Sequence, residues 1–298
     1  MQFTTTALPI PAQLAIWQSK GLLIADAAKA ESALSNINYF RFRAYAHTFQ
    51  DHRQSGRPFI LGVSLTDLLE LYQRDKSLRL LFLDAIESIE VAFRAQLVQQ
   101  FAPVHGPHWH ENAALSVNRT HFQNNLAVMR NEPKRSSETF IQEYYRIYTR
   151  PAHPPSWMGL EVVSFGLLSK MFDNLKNSPE KKAIARHFGL TNHQVLESWM
   201  RTLCLVRNIC AHHGRLWNRT LISRPVVPYN TLGGWVSAAP GQNDKLYIVL
   251  TLCSYLLGQI MPGNDWKVRL KILLSGFPQS QLSEMGFPLG WERDGFWG

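Results

Sequence analysis

The stretch that decides the fold is "DKSLRLLFLDAIESIEVAFRAQLVQQF", residues 75–101. It contains no Gly or Pro. Its polar positions Asp84, Glu87, Glu90 and Arg94 recur at helical spacing on one stripe, which predicts a long amphipathic helix with an apolar remainder turned to a core. Elsewhere the chain repeats that pattern in shorter pieces. "PAQLAIWQSKG" opens on Pro and closes on Gly, and "DAAKAESALSNI" follows with Asp26 as N-cap. "NYFRFRAYAHTFQ" (38–50) alternates aromatic and basic residues. "SLTDLLELYQRD" is a further helix, capped by Ser64 or Thr66.

C-terminal to the long helix, residues 103–120 and 130–138 read as loops. "FIQEYYRIYTR" is a helix that stops before "PAHPP". "SWMGLEVVSFGLLSKMFDNLKN" (156–177) reads as one long helix with Ser156 as N-cap. "SPEKKAIARHFG" takes Ser178 as N-cap and Pro179 in its first turn, and residues 191–214 form a helix stopped by Gly214. Residues 220–243 are irregular and rich in Pro and Gly. Two further helices, 244–261 and 265–276, precede a tail, 276–298, with five Gly and two Pro. No strand alternation and no repeat appears. The expectation is an all-α bundle: an N-terminal helical subdomain (1–60), a helical bundle (61–275) and a C-terminal tail (276–298).

Composition narrows the function classes. The 298 residues are 45% hydrophobic, enough for a core, and 31 Lys+Arg against 22 Asp+Glu leave a formal charge of +9 and pI ≈ 9.6. A polyanionic partner fits that charge. Cys204, Cys210 and Cys253 form no disulfide framework, which points to a reducing, cytoplasmic setting. The opening residues show no signal peptide, and the most apolar run, 246–261, is short for a bilayer, so it reads as a buried helix. No Walker loop, GxSxG or dinucleotide fingerprint is present.

The positive charge concentrates around "RNICAHHGRLWNR", residues 207–219. No Asp or Glu occurs from residue 198 to 243, a window that holds Arg201, Arg207, Arg215, Arg219 and Arg224. Val195, Trp199, Val206 and Cys210 mark an apolar seam, and Asn208 and His212, four apart, share a face roughly opposite it. Arg207 lies roughly 140° around the helix from His212. Either the helix end bends, or a site is completed by a second copy of the motif across a two-fold axis. The residue types suit RNA cleavage. A neutral His takes the proton of a ribose 2′-OH, a protonated His serves the departing 5′-oxygen, and an Arg grips the phosphate. The competing structural reading is as simple: His212 and His213 are cations in a last helical turn, favoured by the helix dipole.

Several other groups carry both readings. His105, His108 and His110 lie within six residues but lack a Cys partner or a second cluster at ligand spacing, so no metal is assigned. Glu90 and Arg94 form an i,i+4 pair on a solvated face. Arg41 and Arg43 among aromatics could contact RNA or simply pack a subdomain. Trp217 is a core residue rather than a stacking platform.

"LSNINYFRFRAY" (34–45), residues 71–97, "PPSWMGLEVVSFGLLSKMFDNLK" (154–176) and "LVRNICAHHGRLWNR" (205–219) together resemble the motifs of the Abi-like family of abortive-infection (bacteriophage resistance) proteins. The resemblance spans roughly residues 10–275. It implies the HEPN superfamily, helical bundles whose ribonucleases carry Arg, four to six residues, then His. On that pattern Arg207 and His212 take the two roles, Asn208 is the polar residue after the Arg, and His213 fits a five-residue spacing. The resemblance also places Glu87, Glu90, Arg94 and Glu161 near the motif in support, and implies a homodimer that pairs two motifs. No cofactor is implied. The expected activity is a metal-independent endoribonuclease toxin, with RNA contacts from Arg41, Arg43, Arg201, Arg215 and Arg219. The alternative is a non-catalytic RNA-binding protein of the same fold that works with a small structured RNA.

Overall fold

The computed structural model describes residue 2, residues 6–237 and residues 243–298. The remainder of the N-terminal stretch read for a signal, and residues 238–242 of the irregular segment, lie outside the described residues. Those described form thirteen α-helices, short 3-10 turns and isolated bridges, with no strand among them. The all-α expectation holds. The chain divides into two compact units, Met1–Leu78 and Arg79–Gly298.

In the first unit, α1 (Ile10–Ser19) starts after Pro9 and ends at Gly21, whose φ of 93° suits glycine alone. The Asp26 side chain accepts from the Lys29 amide at 2.9 Å and so starts α2 (Ala27–Asn36). Asn38 caps α3 (Tyr39–Ala46) by accepting from the Phe40 amide. Trp17 is the centre of this unit: Tyr39 stacks on it at 4.8 Å, and Phe42 and Phe59 pack around its ring. Phe42 and Tyr45 are fully buried.

The helix α4 (Leu65–His105) runs 41 residues and fuses the two helices expected at 64–75 and 75–101. Ser64 starts it in a reciprocal box, its amide and hydroxyl both donating to Asp67 Oδ2. Asp75 does not end a helix. It is fully buried and accepts a 2.5 Å hydrogen bond from the Tyr45 hydroxyl. α4 also takes residues up to His105 from the expected loop 103–120, and ends at Gly106 with φ 85°.

Two expectations in the second unit are corrected. Residues 130–135, read as a charged loop, belong to α5 (Arg119–Arg135), started by the Asn118 side chain. The 156–177 helix is broken into α7 (Ser156–Gly159), a 3-10 turn at 160–162 and α8 (Phe165–Asn174). The break has a local cause: Val163 is extended, and Ser164 accepts from the Leu167 amide, capping a new helix. Ser156 is not a cap either; Pro155 holds that place without a side-chain bond, and the Ser156 hydroxyl is buried. Between these lies α6 (Thr139–Ile147). α9 (Pro179–His187) is capped by Ser178 as expected.

α10 (His193–Ala211) packs its whole expected seam: Val195, Trp199, Val206 and Cys210 are buried. Phe93 of α4 meets Phe165 and Phe172 of α8 and Phe188 beyond α9, edge to face or tilted. In α11 (Leu246–Ile260) residues 246–257 are all buried, and no described helix is long and apolar enough to cross a membrane. Trp266 opens α12 (Trp266–Ser275) and donates to the Leu81 carbonyl at 2.9 Å. The tail is packed: α13 (Gln279–Glu284) precedes Trp291 and Trp297, both buried, and the Trp297 indole donates to the Tyr247 hydroxyl at 3.2 Å.

Candidate functional site

The candidate site is the exposed end of α10. Its buried seam leaves Asn208, His212 and His213 exposed and Arg207 half-exposed. Arg207 Nη1 donates to Asn208 Oδ1 at 3.4 Å, so the amide holds the guanidinium beside the last turn. The helix then closes in a Schellman arrangement. The His213 amide donates to the Cys210 carbonyl at 3.0 Å, and the Gly214 amide reaches back to the Ile209 carbonyl at 2.8 Å. The left-handed position of this motif is His213, with φ 56°, and not Gly214 as expected. Gly214 matters for a different reason: a Cβ there would come within 3.3 Å of the Ile209 carbonyl and side chain. The chain leaves the helix only after His212, whose amide still donates to the Asn208 carbonyl at 3.0 Å, so the turn does not remove the offset between Arg207 and His212.

Beyond the turn, Leu216 and Trp217 plunge into the core, so Trp217 is a core residue as read. Asn218 again adopts positive φ and donates to Glu284 Oε2 at 2.8 Å. The Arg219 guanidinium folds back to 3.6 Å from where a side chain on Gly214 would start, which returns a cation to the histidine turn.

The acid-free window does not remain free of acid in three dimensions. Arg201 pairs with Asp173 of α8, Arg224 pairs with Asp244 at 3.0 Å, and Arg215 acts electrostatically on Glu284. Burial nevertheless raises the Glu284 carboxyl above its ordinary range. The cations gathered at the helix end itself are Arg207 and Arg219. Arg41 and Arg43 are exposed on α3, in the other unit.

The supporting group is partly assembled. Arg94 donates to Glu90 Oε1 at 2.9 Å and to the Val163 carbonyl at 3.3 Å, and lies 3.9 Å from Glu161. Glu87 is exposed one turn earlier and takes no part in this set. Cys204, one turn before Arg207, connects the set to the motif. Its thiol is pushed up to about 12, first by burial; Glu90 raises it further, while the Ser169 hydroxyl, Arg207 and Lys170 pull it down. Glu90 and Arg207 thus act on the same thiol, and Cys204 is no nucleophile.

Sequence reading missed what anchors α10 at its other end. Lys181 of α9, almost fully buried, donates to Glu197 at 2.6 Å and to the Leu175 carbonyl at 2.6 Å. It closes the end of α8 and sits 5.1 Å over the Phe172 ring, while His193 Nδ1 contacts the same carboxylate at 2.9 Å. "SPEKK" gave no sign of this, because the partner carboxylate lies on another helix.

The three clustered histidines go separate ways. His105 approaches Glu180 at 3.8 Å, His108 bonds the His153 carbonyl, and His110 is buried, its imidazole held down at about 4 chiefly by burial. Glu111 beside it accepts from Arg130 at 3.1 Å. No group of three His, Cys, Asp or Glu among the described residues is placed to hold a metal ion.

A family model described as Abi-like protein matches residues 32–218, from within α2 through the histidine turn. No curated protein and no solved structure matches the chain. The matched span covers more than half of the chain and takes in both the α3 aromatics and the whole of "RNICAHHGRLWN", so the chain belongs to the Abi-like protein family, a family associated with abortive-infection resistance to bacteriophage.

Proposed function

We propose that the chain acts in anti-phage defence as a metal-independent HEPN-type endoribonuclease that cuts RNA at the end of α10. The observation that carries this reading is the helix end itself. Asn208, His212 and His213 are exposed and Arg207 half-exposed within one helix end and its closing turn, with the Arg207 guanidinium bonded to Asn208 and a second guanidinium, Arg219, folded back towards Gly214.

In the mechanism, neutral His212 accepts the proton of a ribose 2′-OH as the 2′-oxygen bonds to phosphorus. The bond from phosphorus to the 5′-oxygen breaks, and a protonated imidazole supplies the proton that this oxygen takes up. Arg207 holds the non-bridging oxygens with two parallel N–H donors as their charge grows. The second imidazole comes from His213 or from His212 of a second copy of the chain. Products are a 2′,3′-cyclic phosphate and a 5′-hydroxyl. Arg201, Arg215 and Arg219 contribute RNA contacts at the rim, with Arg201 and Arg215 drawn partly away by Asp173 and Glu284.

The test compares total RNA incubated with the wild type and with His212→Ala, with and without EDTA, followed by end-group analysis. Cleavage in EDTA that His212→Ala lowers by about 10²–10⁴-fold supports the reading. Activity lost in EDTA and restored by a divalent ion overturns the mechanism. RNA that is bound but never cut points instead to a non-catalytic protein working with a small structured RNA.

A further inference from the structure

Three contacts fix how α8 lies along α10. Lys181 binds the Leu175 carbonyl at the end of α8 and also Glu197 of α10, each at 2.6 Å. Asp173 pairs with Arg201, and the Ser169 hydroxyl lies against the Cys204 thiol. Going back along α8 therefore means going forward along α10. The two helices are antiparallel, and the start of α8 runs towards the exposed end of α10. Lys170 is three residues before Asp173 and shares its face of α8. Asp173 reaches Arg201, so Lys170 faces the next turn of α10, beside Cys204 and one turn, about 5 Å, short of Arg207. Lys170 and Arg207 both pull on that thiol, against the burial that raises it. One further turn back, α8 carries Gly166, with no side chain to fill the space opposite Arg207 and Asn208. A Cβ there would meet nothing but Ser164 Oγ, at 3.9 Å.

The charges around Lys170 are otherwise settled. Its side chain is exposed, and it pairs with no carboxylate among the described residues. The acids on the elements packed about it have cations of their own. Asp173 is with Arg201, Glu197 is with Lys181, and Arg94 lies 2.9 Å from Glu90 and 3.9 Å from Glu161. Glu87 of α4 joins none of these pairs. Arg207 is held only by the neutral amide of Asn208. Two cations without acids thus stand one helical turn apart along an open groove. Phosphates on one strand of a duplex follow each other at ~3.4 Å of rise, so a strand passes from one cation to the other in one or two phosphate steps.

We propose that Lys170 is an RNA-binding residue of the site at the end of α10, its ammonium holding the phosphate next to the one gripped by Arg207. This rests on the reading that the helix end takes RNA. The contact is to a phosphate that does not react, so it is equally strong before and during bond breaking and adds affinity rather than turnover.

The test uses the full chain carrying His212→Ala, so that the strand stays whole, and follows the anisotropy of a fluorescein-labelled single-stranded RNA of mixed sequence across a salt series. Lys170→Gln on this background is expected to make the log–log salt slope shallower by about 0.7, and so to weaken binding about 5-fold at ~0.1 M salt, with an unchanged melting temperature. Lys170→Arg should restore the slope. In the chain with His212 intact, Lys170→Gln should raise the RNA concentration for half-maximal cleavage about 5-fold, and saturating RNA should recover the rate; Arg207→Ala should not be recovered in this way. An unchanged slope in Lys170→Gln overturns the proposal, as does a parent chain that does not bind the strand. Weaker binding that only follows a lowered melting temperature also overturns it, because Lys170 is then a packing residue. The two readings fail separately. A wild type that cuts no RNA while binding still depends on Lys170 refutes only the nuclease, and a cutting enzyme whose binding and cleavage ignore Lys170→Gln refutes only this assignment.

Discussion

Replacing Lys181 by Met tests how α10 is held. Methionine keeps most of the length and apolar volume but removes the ammonium. The side chains of Lys181 and Glu197 are 3% and 13% exposed, and their charged atoms lie 2.6 Å apart. Removing one partner leaves the Glu197 carboxylate in the interior with only His193 beside it, and takes the donor from the Leu175 and Asp173 carbonyls at the end of α8. Breaking a buried pair in this way costs about 3–5 kcal/mol. For a unit of this size that is a fall in Tm of roughly 6–20 °C. Adding Glu197→Leu should restore most of the loss, because an apolar pair in place of a buried ion pair is often neutral; a deficit of about 1–2 kcal/mol for the uncapped α8 carbonyls should remain. Urea unfolding of the four chains of the cycle measures this. A single variant within about 1 kcal/mol of wild type, or a double variant worse than the sum of the singles, would refute the reasoning.

Arg207→Ala and His212→Ala should each abolish RNA cleavage while leaving the melting curve unchanged, since neither lies on the buried seam; His213→Ala should be milder, and inactivity of that variant alone would reassign the acid–base role. The buried imidazole of His110 should make the fold acid-sensitive. Its folded value, about 4, lies below the ordinary 6.5, so the unfolded chain gains a proton first as pH falls, and roughly 3 kcal/mol present above pH 6.5 should drain away by pH 4. His110→Phe should flatten that window in a pH series of denaturant melts. Light scattering should find a two-fold dimer with residues 205–219 of both chains near the axis, and a monomer that cuts RNA at full rate would contradict the paired site.

The helices were legible wherever a local pattern set them. The seam of α10 and the burial of α11 follow directly from apolar spacing. α5 was legible but overlooked: Phe122, Leu126, Met129 and Pro133 recur at i, i+4, i+7 and i+11, and the last two are buried. The charged letters of 130–138 hid that stripe. The break before α8 turned on one serine hydroxyl outcompeting an otherwise continuous apolar period, a balance of about 1 kcal/mol that periodicity does not weigh. Charge was the least readable property. The window without acids meets Asp173, Asp244 and Glu284 from outside itself, and Lys181 finds Glu197 on the next helix, because pairing is decided by the fold and not by neighbours in sequence.

The left-handed backbone at His213 has a consequence for how this chain answers selection. A residue with a Cβ pays about 1–2 kcal/mol at that dihedral, and glycine pays almost nothing. A library screened for heat resistance alone would therefore enrich glycine at position 213 and carry one imidazole fewer at the helix end. If the nuclease proposed above uses His213, a library screened for RNA cleavage would keep the histidine and tolerate the strain. The residue recovered at this one position reports which of the two pressures a population has been under.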